Sequence, residues 1–234
     1  MRTYRAAKGP LKERPYYSLK EIEDICADEL RKVDLYPKTP EPVRIERFIE
    51  KRFGIHPEYA ELPEGLLGYT RFGPRGAEEI VVSRVLFEER SKVAERQVNS
   101  TLAHEAGHGL LQAHLFVLEQ ERLTSLFGDG VDPHVPKILC REHSAAKGKG
   151  YDGRWWEFQA NQAIGALLLP KPLVLKVLAE FTTPTGALGV TQLDSSKRQE
   201  ATRKIVEIFD VNPAVAWIRL SELYPEDKSK QLML

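Results

Sequence analysis

The stretch that decides the fold of this chain reads Thr101-Leu-Ala-His104-Glu105-Ala-Gly-His108-Gly-Leu-Leu111. It places two histidines four residues apart, with a glutamate directly after the first. On a helix, such positions lie one turn apart on the same face, so His104 and His108 can present ring nitrogens to a single Zn²⁺. Glu105 lies beside that face, from which its carboxylate can act on a water molecule as general base without binding the metal.

The residues around the two histidines divide into two arcs when they are placed at about 100° per residue. The polar arc holds both histidines, Glu105, Thr101 and Gln112. The neighbouring arc holds small and apolar residues, namely Leu102, Ala106, Gly109, Leu110 and Ala113. We therefore predict a helix over residues 92–116 with a polar face on a cleft and an apolar face on the core.

The composition limits the classes of protein to which the chain can belong. Its 234 residues are enough for one domain with an appendage, and 34 basic residues balance 34 acidic ones. This balance gives no overall attraction to nucleic acid or to a membrane. Two cysteines, no apolar leader and no apolar run of about 18 residues predict a soluble cytoplasmic protein.

The first 54 residues predict a tail and two helices. Residues 1–17 carry five basic side chains and one acidic one, which favours a flexible solvated tail over a nucleic-acid-binding arm. Ser18 and Glu21 form a capping box that starts a helix over residues 18–34. A second helix is predicted over residues 42–53, ending at Gly54.

A change of period after Leu66 predicts a β-hairpin. The segments 68–72 and 79–83 alternate as strands do, and the glycine- and proline-containing segment 73–76 lies between them. Such a hairpin could be purely structural, or it could form the rim of a cleft to which an extended substrate adds as another strand. The sequence favours neither alternative.

The connection over residues 117–152 is predicted to be an insertion that forms a loop on the cleft side. It contains His134, Cys140 and His143. These residues could belong to a second metal site, or Cys140 could be a reversible fourth ligand of the catalytic zinc, but ordinary loop residues are the favoured interpretation. Arg141, His143 and Tyr151 are alternative donors that could stabilise the transition-state oxyanion.

The third metal ligand is sought on the apolar segment 155–170, which is predicted to be a helix with a single acidic residue, Glu157. A lone carboxylate on a helix built for the core is costly to bury unless it is paired or binds a metal. Glu157 is therefore the candidate ligand. Asn161, one turn further on, could accept the remaining N–H of a ligating histidine, although it could also be a surface amide.

These motifs resemble those of the ImmA/IrrE family of zinc metallopeptidases. The resemblance rests on three separated pieces in order and covers most of residues 43–224. The pieces are the zinc helix Ser100–Leu111, the segment Glu157-x-x-Ala160-Asn161 with Leu167-Leu-Leu-Pro170, and the segment Ile208–Leu220. The chain departs from the family where Asn161 is followed by Gln-Ala-Ile and where the 117–152 insertion is longer than in compact members.

The resemblance implies a gluzincin-like endopeptidase with one Zn²⁺. In that family pattern His104, His108 and Glu157 are the ligands, and Glu105 is the general base. Members often cleave a helix-turn-helix repressor inside bacteria and so release mobile-element or stress genes. A protein substrate of this kind is the partner that the resemblance implies.

The end of the chain predicts two short helices, over residues 194–209 and from Pro213 onwards, with Asn212 as the N-cap of the second. Such a pair could imitate a DNA-reading motif. Three basic residues are balanced by three acidic ones on these helices, namely Arg203, Lys204 and Arg219 against Glu200, Glu207 and Glu222. Packing, or docking of a protein substrate, is therefore favoured over direct binding of nucleic acid.

Together these features predict an α+β fold. We expect a mostly helical, zincin-like metallopeptidase core over residues 18–175, with a small antiparallel sheet. A C-terminal helical, helix-turn-helix-like region follows over 176–224, and 225–234 is expected to fray. The predicted function is zinc-dependent cleavage of a repressor, and the alternative is a non-proteolytic zinc-containing regulator or sensor that binds a protein partner or DNA.

Overall fold

The structure, a computed structural model, describes residues 2–5, 13–73, 75–118, 137–141, 155–185 and 190–225. Within these ranges the fold is α+β and mostly helical. The helices are α1 (Leu19–Lys32), α2 (Ile45–Phe53), α3 (Arg84–Glu88), α4 (Lys92–Leu111), α5 (Ala113–Leu118), α6 (Trp155–Leu168), α7 (Lys171–Leu178), α8 (Arg198–Phe209) and α9 (Pro213–Leu223). The strands are β1 (Arg2–Arg5), β2 (Glu13–Tyr16), β3 (Glu58–Ala60), β4 (Leu66–Gly73), β5 (Gly76–Ser83), β6 (Lys137–Arg141), β7 (Thr182–Thr185) and β8 (Val190–Leu193).

The main sheet has four strands in the order β3-β5-β4-β6. The predicted hairpin is confirmed as β4 and β5, which are antiparallel, but β3 runs parallel to β5. The expectation of a purely antiparallel sheet is therefore wrong, because the three-residue strand β3 is too short to be recognised from its sequence. Strand β4 has neighbours on both sides, and β3 pairs with the Val81–Ser83 end of β5. The role of the hairpin, as a structural element or as the rim of a cleft, stays a prediction.

Strand β6 lies inside the segment that was predicted to be a loop. It pairs antiparallel with β4, and Ile138 lies opposite Thr70. Residues 137–141 of the 117–152 connection thus add a strand to the sheet, beside the strand β4 that contacts α4.

The N-terminal helices begin and end for the predicted reasons. Ser18 and Glu21 form the capping box of α1, in which the Ser18 backbone N–H donates to Glu21 Oε2 at 2.8 Å. Helix α2 ends at Gly54, whose φ of +71° favours glycine. It begins at Ile45, three residues after the predicted start, because the chain stays irregular through Pro42 and Val43.

Residues 2–5 and 13–16 form an antiparallel pair, β1 and β2, where the sequence predicts only a solvated tail. Tyr4 and Tyr16 pack edge to face across this pair with ring centroids 6.0 Å apart. The tyrosines supply the apolar contact that the basic composition of this segment concealed. The described part of this segment is therefore an antiparallel strand pair, which we call the N-terminal hairpin.

Helix α4, which carries His104 and His108, and helix α6, which carries Glu157, pack closely at a pair of small residues. A Cβ added to Gly107 would lie 2.8 Å from Ala163 Cβ, so only glycine allows this approach. Helix α4 ends at Leu111 and not at 116, and α5 starts two residues later. Gln112 is the C-cap, and its backbone N–H donates to the His108 carbonyl oxygen at 2.9 Å.

The C-terminal helices share one hydrophobic core with the N-terminal half. Phe209 on α8 and Leu220 on α9 are buried in the same cluster as Ile22 of α1 and Leu102 of α4. A third hairpin, formed by β7 and β8, precedes α8 and was not predicted. Among the described helices, none combines the length and apolar character needed to cross a membrane.

Helices α8 and α9 are joined by residues 210–212, and Asn212 caps α9 as predicted. Arg219, which the sequence groups with surface cations, is fully buried instead. Its Nη1 lies 2.8 Å from Glu23 Oε1 and 3.2 Å from Glu222 Oε2, while its Nε donates to the Leu169 carbonyl oxygen. This cation is thus committed to holding α9 against α1 and α6, and it is not available to nucleic acid.

Candidate metal centre

Three buried side chains from two helices point donor atoms at one another. His104 and His108 come from α4 and Glu157 comes from the first turn of α6. Their ligand atoms all lie within 4.8 Å of one another. The three residues could therefore hold a metal ion, and among the described residues this group has no fourth member.

The separations of the donor atoms fit a tetrahedral divalent ion. Metal–nitrogen bonds of 2.0–2.1 Å place neighbouring donors of a tetrahedron about 3.3–3.4 Å apart. The observed distances are 3.0 Å between the two histidine Nε2 atoms, 3.2 Å from His104 Nε2 to Glu157 Oε2 and 3.8 Å from His108 Nε2 to Glu157 Oε1. A shift of a few tenths of an ångström would bring all three to the tetrahedral value.

Burial puts His108 in the protonation state that metal binding requires. His108 is fully buried, and burial, followed by the neighbouring His104, lowers the pKa of His108 to about 4. The imidazole of His108 is thus neutral at neutral pH, and a neutral imidazole is the form that binds a metal. Glu157 is 7% exposed on an otherwise apolar helix, where a carboxylate needs a partner of opposite charge.

His104 is oriented by an amide at the surface. Its Nδ1 lies 3.1 Å from Oδ1 of Asn161, the contact that the sequence analysis proposes for this asparagine. Asn161 is itself exposed, one turn after Glu157 on α6. With a metal bound at Nε2, the His104 Nδ1 would carry the proton and Asn161 Oδ1 would accept it.

His108 is oriented from inside the protein. Its Nδ1 lies 3.0 Å from Oε1 of Gln112, whose Nε2 donates to Oε1 of Gln159 at 3.0 Å. The Gln159 Nε2 in turn donates to the backbone carbonyl oxygen of Pro15 at 2.9 Å. A chain of buried amides therefore runs from one candidate ligand to the N-terminal hairpin.

Glu105 is completely buried and lies outside the donor group. The hydroxyl of Thr70, on β4, donates to Glu105 Oε2 at 2.6 Å. Gly68 on the same strand allows this contact, because a Cβ there would lie 2.9 Å from Thr101 Cγ2 and 2.7 Å from the Val81 carbonyl oxygen. The sheet thus meets α4 at the level of Glu105 and fixes the direction of its carboxylate.

The described part of the chain does not test the roles predicted for the other residues singled out from the sequence. His134, His143 and Tyr151 lie outside the described residues. Cys140 pairs in the backbone with Gly68, and Arg141, the last residue of β6, pairs with Leu66. A second metal site, a Cys140 ligand and an oxyanion donor from this segment therefore stay predictions.

Sequence reasoning missed the residues that support the site. Gln112 was placed on the polar arc without a role, although its position four residues after His108 is itself a signal for a contact on one helix face. Gln159 is a second buried polar residue on α6, and Thr70 is a buried hydroxyl on β4. No local pattern indicates the partners of these two residues, because each partner comes from a distant segment.

Comparisons with known proteins add no assignment to this geometry. The sequence matches none of the protein-family models and none of the curated proteins with which it was compared.

Proposed function

We propose that this chain is a cytoplasmic zinc-dependent endopeptidase with one catalytic Zn²⁺. His104, His108 and Glu157 would hold the ion and Glu105 would be the general base. The observation that carries the proposal is the convergence of three buried donors beside a further buried carboxylate that is not among them. Three protein donors with a fourth position left for water are typical of catalytic zinc, whereas structural sites usually have four.

The chemistry divides between the ion and the chain. Bound zinc would supply a Lewis acid that lowers the pKa of a water molecule to about 7 and polarises a carbonyl oxygen. Glu105 would accept the proton of the attacking water and pass it to the nitrogen of the leaving amine. The Thr70 hydroxyl, which donates to Glu105 Oε2, would keep the carboxylate oriented during both transfers.

The substrate that we propose is a helix-turn-helix repressor, whose cleavage would release mobile-element or stress genes. This part of the proposal rests on the resemblance of three motifs in order and not on the geometry of the site. The zincin-like character of the core and the helix-turn-helix-like character of α8 and α9 belong to the same proposal.

The test compares the purified zinc-loaded protein with the variant Glu105→Gln. Each would be incubated with a repressor encoded beside its gene and with a library of proteome-derived peptides, and fragments would be identified by mass spectrometry. We expect Glu105→Gln to keep one zinc per chain and to cleave about 100- to 10,000-fold more slowly, the usual contribution of a general base. Equal cleavage rates for the two proteins would show that Glu105 is not the base.

One observation, the deep burial of the three candidate ligands, favours a second function. His104, His108 and Glu157 are 3%, 0% and 7% exposed, as the ligands of a structural zinc would be. The chain would then be a non-proteolytic regulator that binds a protein partner or DNA. One zinc per chain without cleavage of either substrate would favour this function, and salt-sensitive affinity for duplex DNA would identify the DNA-binding form of it.

A further inference from the structure

The side chains of Gln112 and Gln159 form what we call the amide relay between His108 and the backbone of Pro15. The three hydrogen bonds measure 3.0, 3.0 and 2.9 Å. His108, Gln112 and Gln159 are 0%, 1% and 3% exposed, and Pro15 is buried as well. Bulk water therefore has little access to these groups, and each donor and acceptor depends on its neighbour in the relay.

The direction of each bond would be ambiguous if the bond were isolated. The oxygen and nitrogen of an amide side chain can exchange places by a rotation of 180°, and either nitrogen of an imidazole can carry the proton. A glutamine beside a histidine therefore does not by itself decide which tautomer the histidine adopts.

The Pro15 carbonyl oxygen removes this ambiguity because it can only accept. Gln159 must turn its Nε2 towards Pro15, which leaves its Oε1 facing Gln112. Gln112 must then donate through its Nε2, which leaves its own Oε1 facing His108. An oxygen at this position requires a proton on His108 Nδ1, so the lone pair of the ring is at Nε2, on the side of the other donors.

Rotating either amide of the relay by 180° would place two acceptors, or two donors, against each other. If Gln159 were rotated, its oxygen would face the Pro15 carbonyl oxygen and its nitrogen would face the Gln112 nitrogen. In a buried position these mismatches have no water to relieve them. The relay therefore has one consistent direction, which is set at the end far from the metal.

We propose that the N-terminal hairpin, through the Pro15 carbonyl, fixes the tautomer of His108 and thereby prepares its Nε2 for the metal. Gln112 and Gln159 are positioning residues in this arrangement, since neither is a member of the donor group. The inference rests on the metal-binding part of the proposed function, and it assigns to residues 13–16 a part in a candidate site whose His108 lies 93 positions after Pro15.

The experiment uses full-length metal-free protein in three forms: wild type, Gln159→Met and Gln162→Met. Methionine keeps the approximate shape of glutamine and removes the amide. Gln162 is the matched control because it is on the same helix, is only half-buried and is not in the relay. The protonated nitrogen of His108 would be read from ring ¹⁵N chemical shifts at pH 8, and zinc affinity from competition with a chromophoric chelator.

We expect His108 of the wild type to carry its proton on Nδ1. In Gln159→Met the Gln112 amide loses its fixed direction, so a mixture of tautomers should appear and the Kd for zinc should rise about tenfold, at the lower end of the effect of partners outside the ligand set. Gln162→Met should match the wild type in both measurements. Circular dichroism would establish that each variant is folded.

Two results would overturn the inference. One is a wild-type His108 with its proton mainly on Nε2, which needs no variant to fold. The other is a folded Gln159→Met protein whose His108 tautomer and zinc Kd both equal those of Gln162→Met. Neither measurement involves peptide cleavage, so an intact relay in a protein that cleaves nothing would reject the proposed peptidase activity alone.

Discussion

His104 and His108 lie one turn apart on the same helix, yet they are held in different ways. The Nδ1 of His104 contacts the exposed amide of Asn161, whereas the Nδ1 of His108 is held by the buried amide relay that ends at Pro15. Two candidate ligands from one short motif thus differ in how much of the fold supports them. A surface amide can be replaced at little cost to stability, whereas a buried relay would couple metal binding to the packing of the core.

The largest effect on zinc affinity is expected from changing Glu157, the candidate ligand that lies beside both histidines. The substitution Glu157→Gln replaces a carboxylate with a neutral amide of the same shape. We expect the Kd for zinc to rise more than about 100-fold, beyond the range for partners outside the ligand set. The matched control is Glu105→Gln, a buried carboxylate outside the donor group, which should bind zinc as the wild type does. A Glu157→Gln protein with wild-type zinc affinity would exclude Glu157 as a ligand.

The difference between the supports of His104 and His108 is tested by replacing the amide at each Nδ1, Asn161 or Gln112, with leucine. Gln112→Leu should raise the Kd for zinc about 10- to 100-fold and lower the free energy of unfolding by about 1–3 kcal/mol, because His108 Nδ1 and Gln159 Oε1 lose a buried partner. Asn161→Leu should weaken zinc binding by about tenfold but change stability by less than about 0.5 kcal/mol, since Asn161 is exposed.

Urea denaturation of the two metal-free variants measures the change in the free energy of unfolding directly. The difference between the two supports would be disproved if Gln112→Leu and Asn161→Leu had equal midpoints and slopes.

How much of this arrangement the sequence predicts depends on the distance over which each signal acts. The Ser18 capping box, the end of α2 at Gly54 and the histidine pair are determined by neighbours within one helical turn, and each could be recognised locally. Glu157 could be identified without its partners, because a single acid on an apolar helix is costly to bury.

The unpredicted parts depend on partners that are remote in sequence. Strand β6 lies in a segment of polar character, and its pairing with β4 joins residues about 70 apart. In the sequence Gln159 is an ordinary polar residue, and only the structure shows that Gln112 and Pro15 are its partners. Arg219 carries a charge that predicts exposure, and only the arrangement of α1 and α9 shows that Glu23 offsets it.

A larger side chain between α4 and α6 should weaken the contacts that hold both His104 and His108, because Asn161 and Gln159 are both on α6. Gly107→Ala would introduce a Cβ 2.8 Å from Ala163 Cβ. We expect a loss of about 1–3 kcal/mol in the free energy of unfolding, as for other overpacked cores. The double variant Gly107→Ala/Ala163→Gly removes the clash and should recover most of the loss in thermal denaturation. No recovery in the double variant would contradict the assigned contact.

The smallest effect on stability is expected at the N-terminal end of α4, where ion pairs join the helix to Asp210. Asp210 lies 2.5 Å from Lys92 Nζ and 2.9 Å from Arg96 Nε. Burial alone would raise the pKa of Asp210, but the bonds to these two cations outweigh it and hold the pKa below its ordinary value. Asp210→Asn should cost less than about 1 kcal/mol at neutral pH, as partly exposed ion pairs do. Asparagine also tolerates the φ of +52° at this position, so the substitution tests the charge alone.

The sign of the pH dependence follows from the lowered pKa of Asp210. Its stabilising contribution is present above the unfolded-state value of about 3.9 and is lost as the pH falls through the lower folded-state value. Denaturation curves of Asp210→Asn and wild type should therefore differ at pH 7 and converge below about pH 4. A difference that stays constant down to pH 2.5 would show that the charge is not its cause.

The amide relay also has a consequence for the order in which the protein is made. Its final bond joins residues that are 144 positions apart, and the first 118 residues contain both histidines and Pro15 but neither Glu157 nor Gln159. A chain emerging from the ribosome would therefore carry two of the three candidate ligands before the relay that orients His108 can be completed. We expect firm metal retention to begin only after α6 has docked, so that a loaded ion marks a chain whose synthesis and packing are both complete.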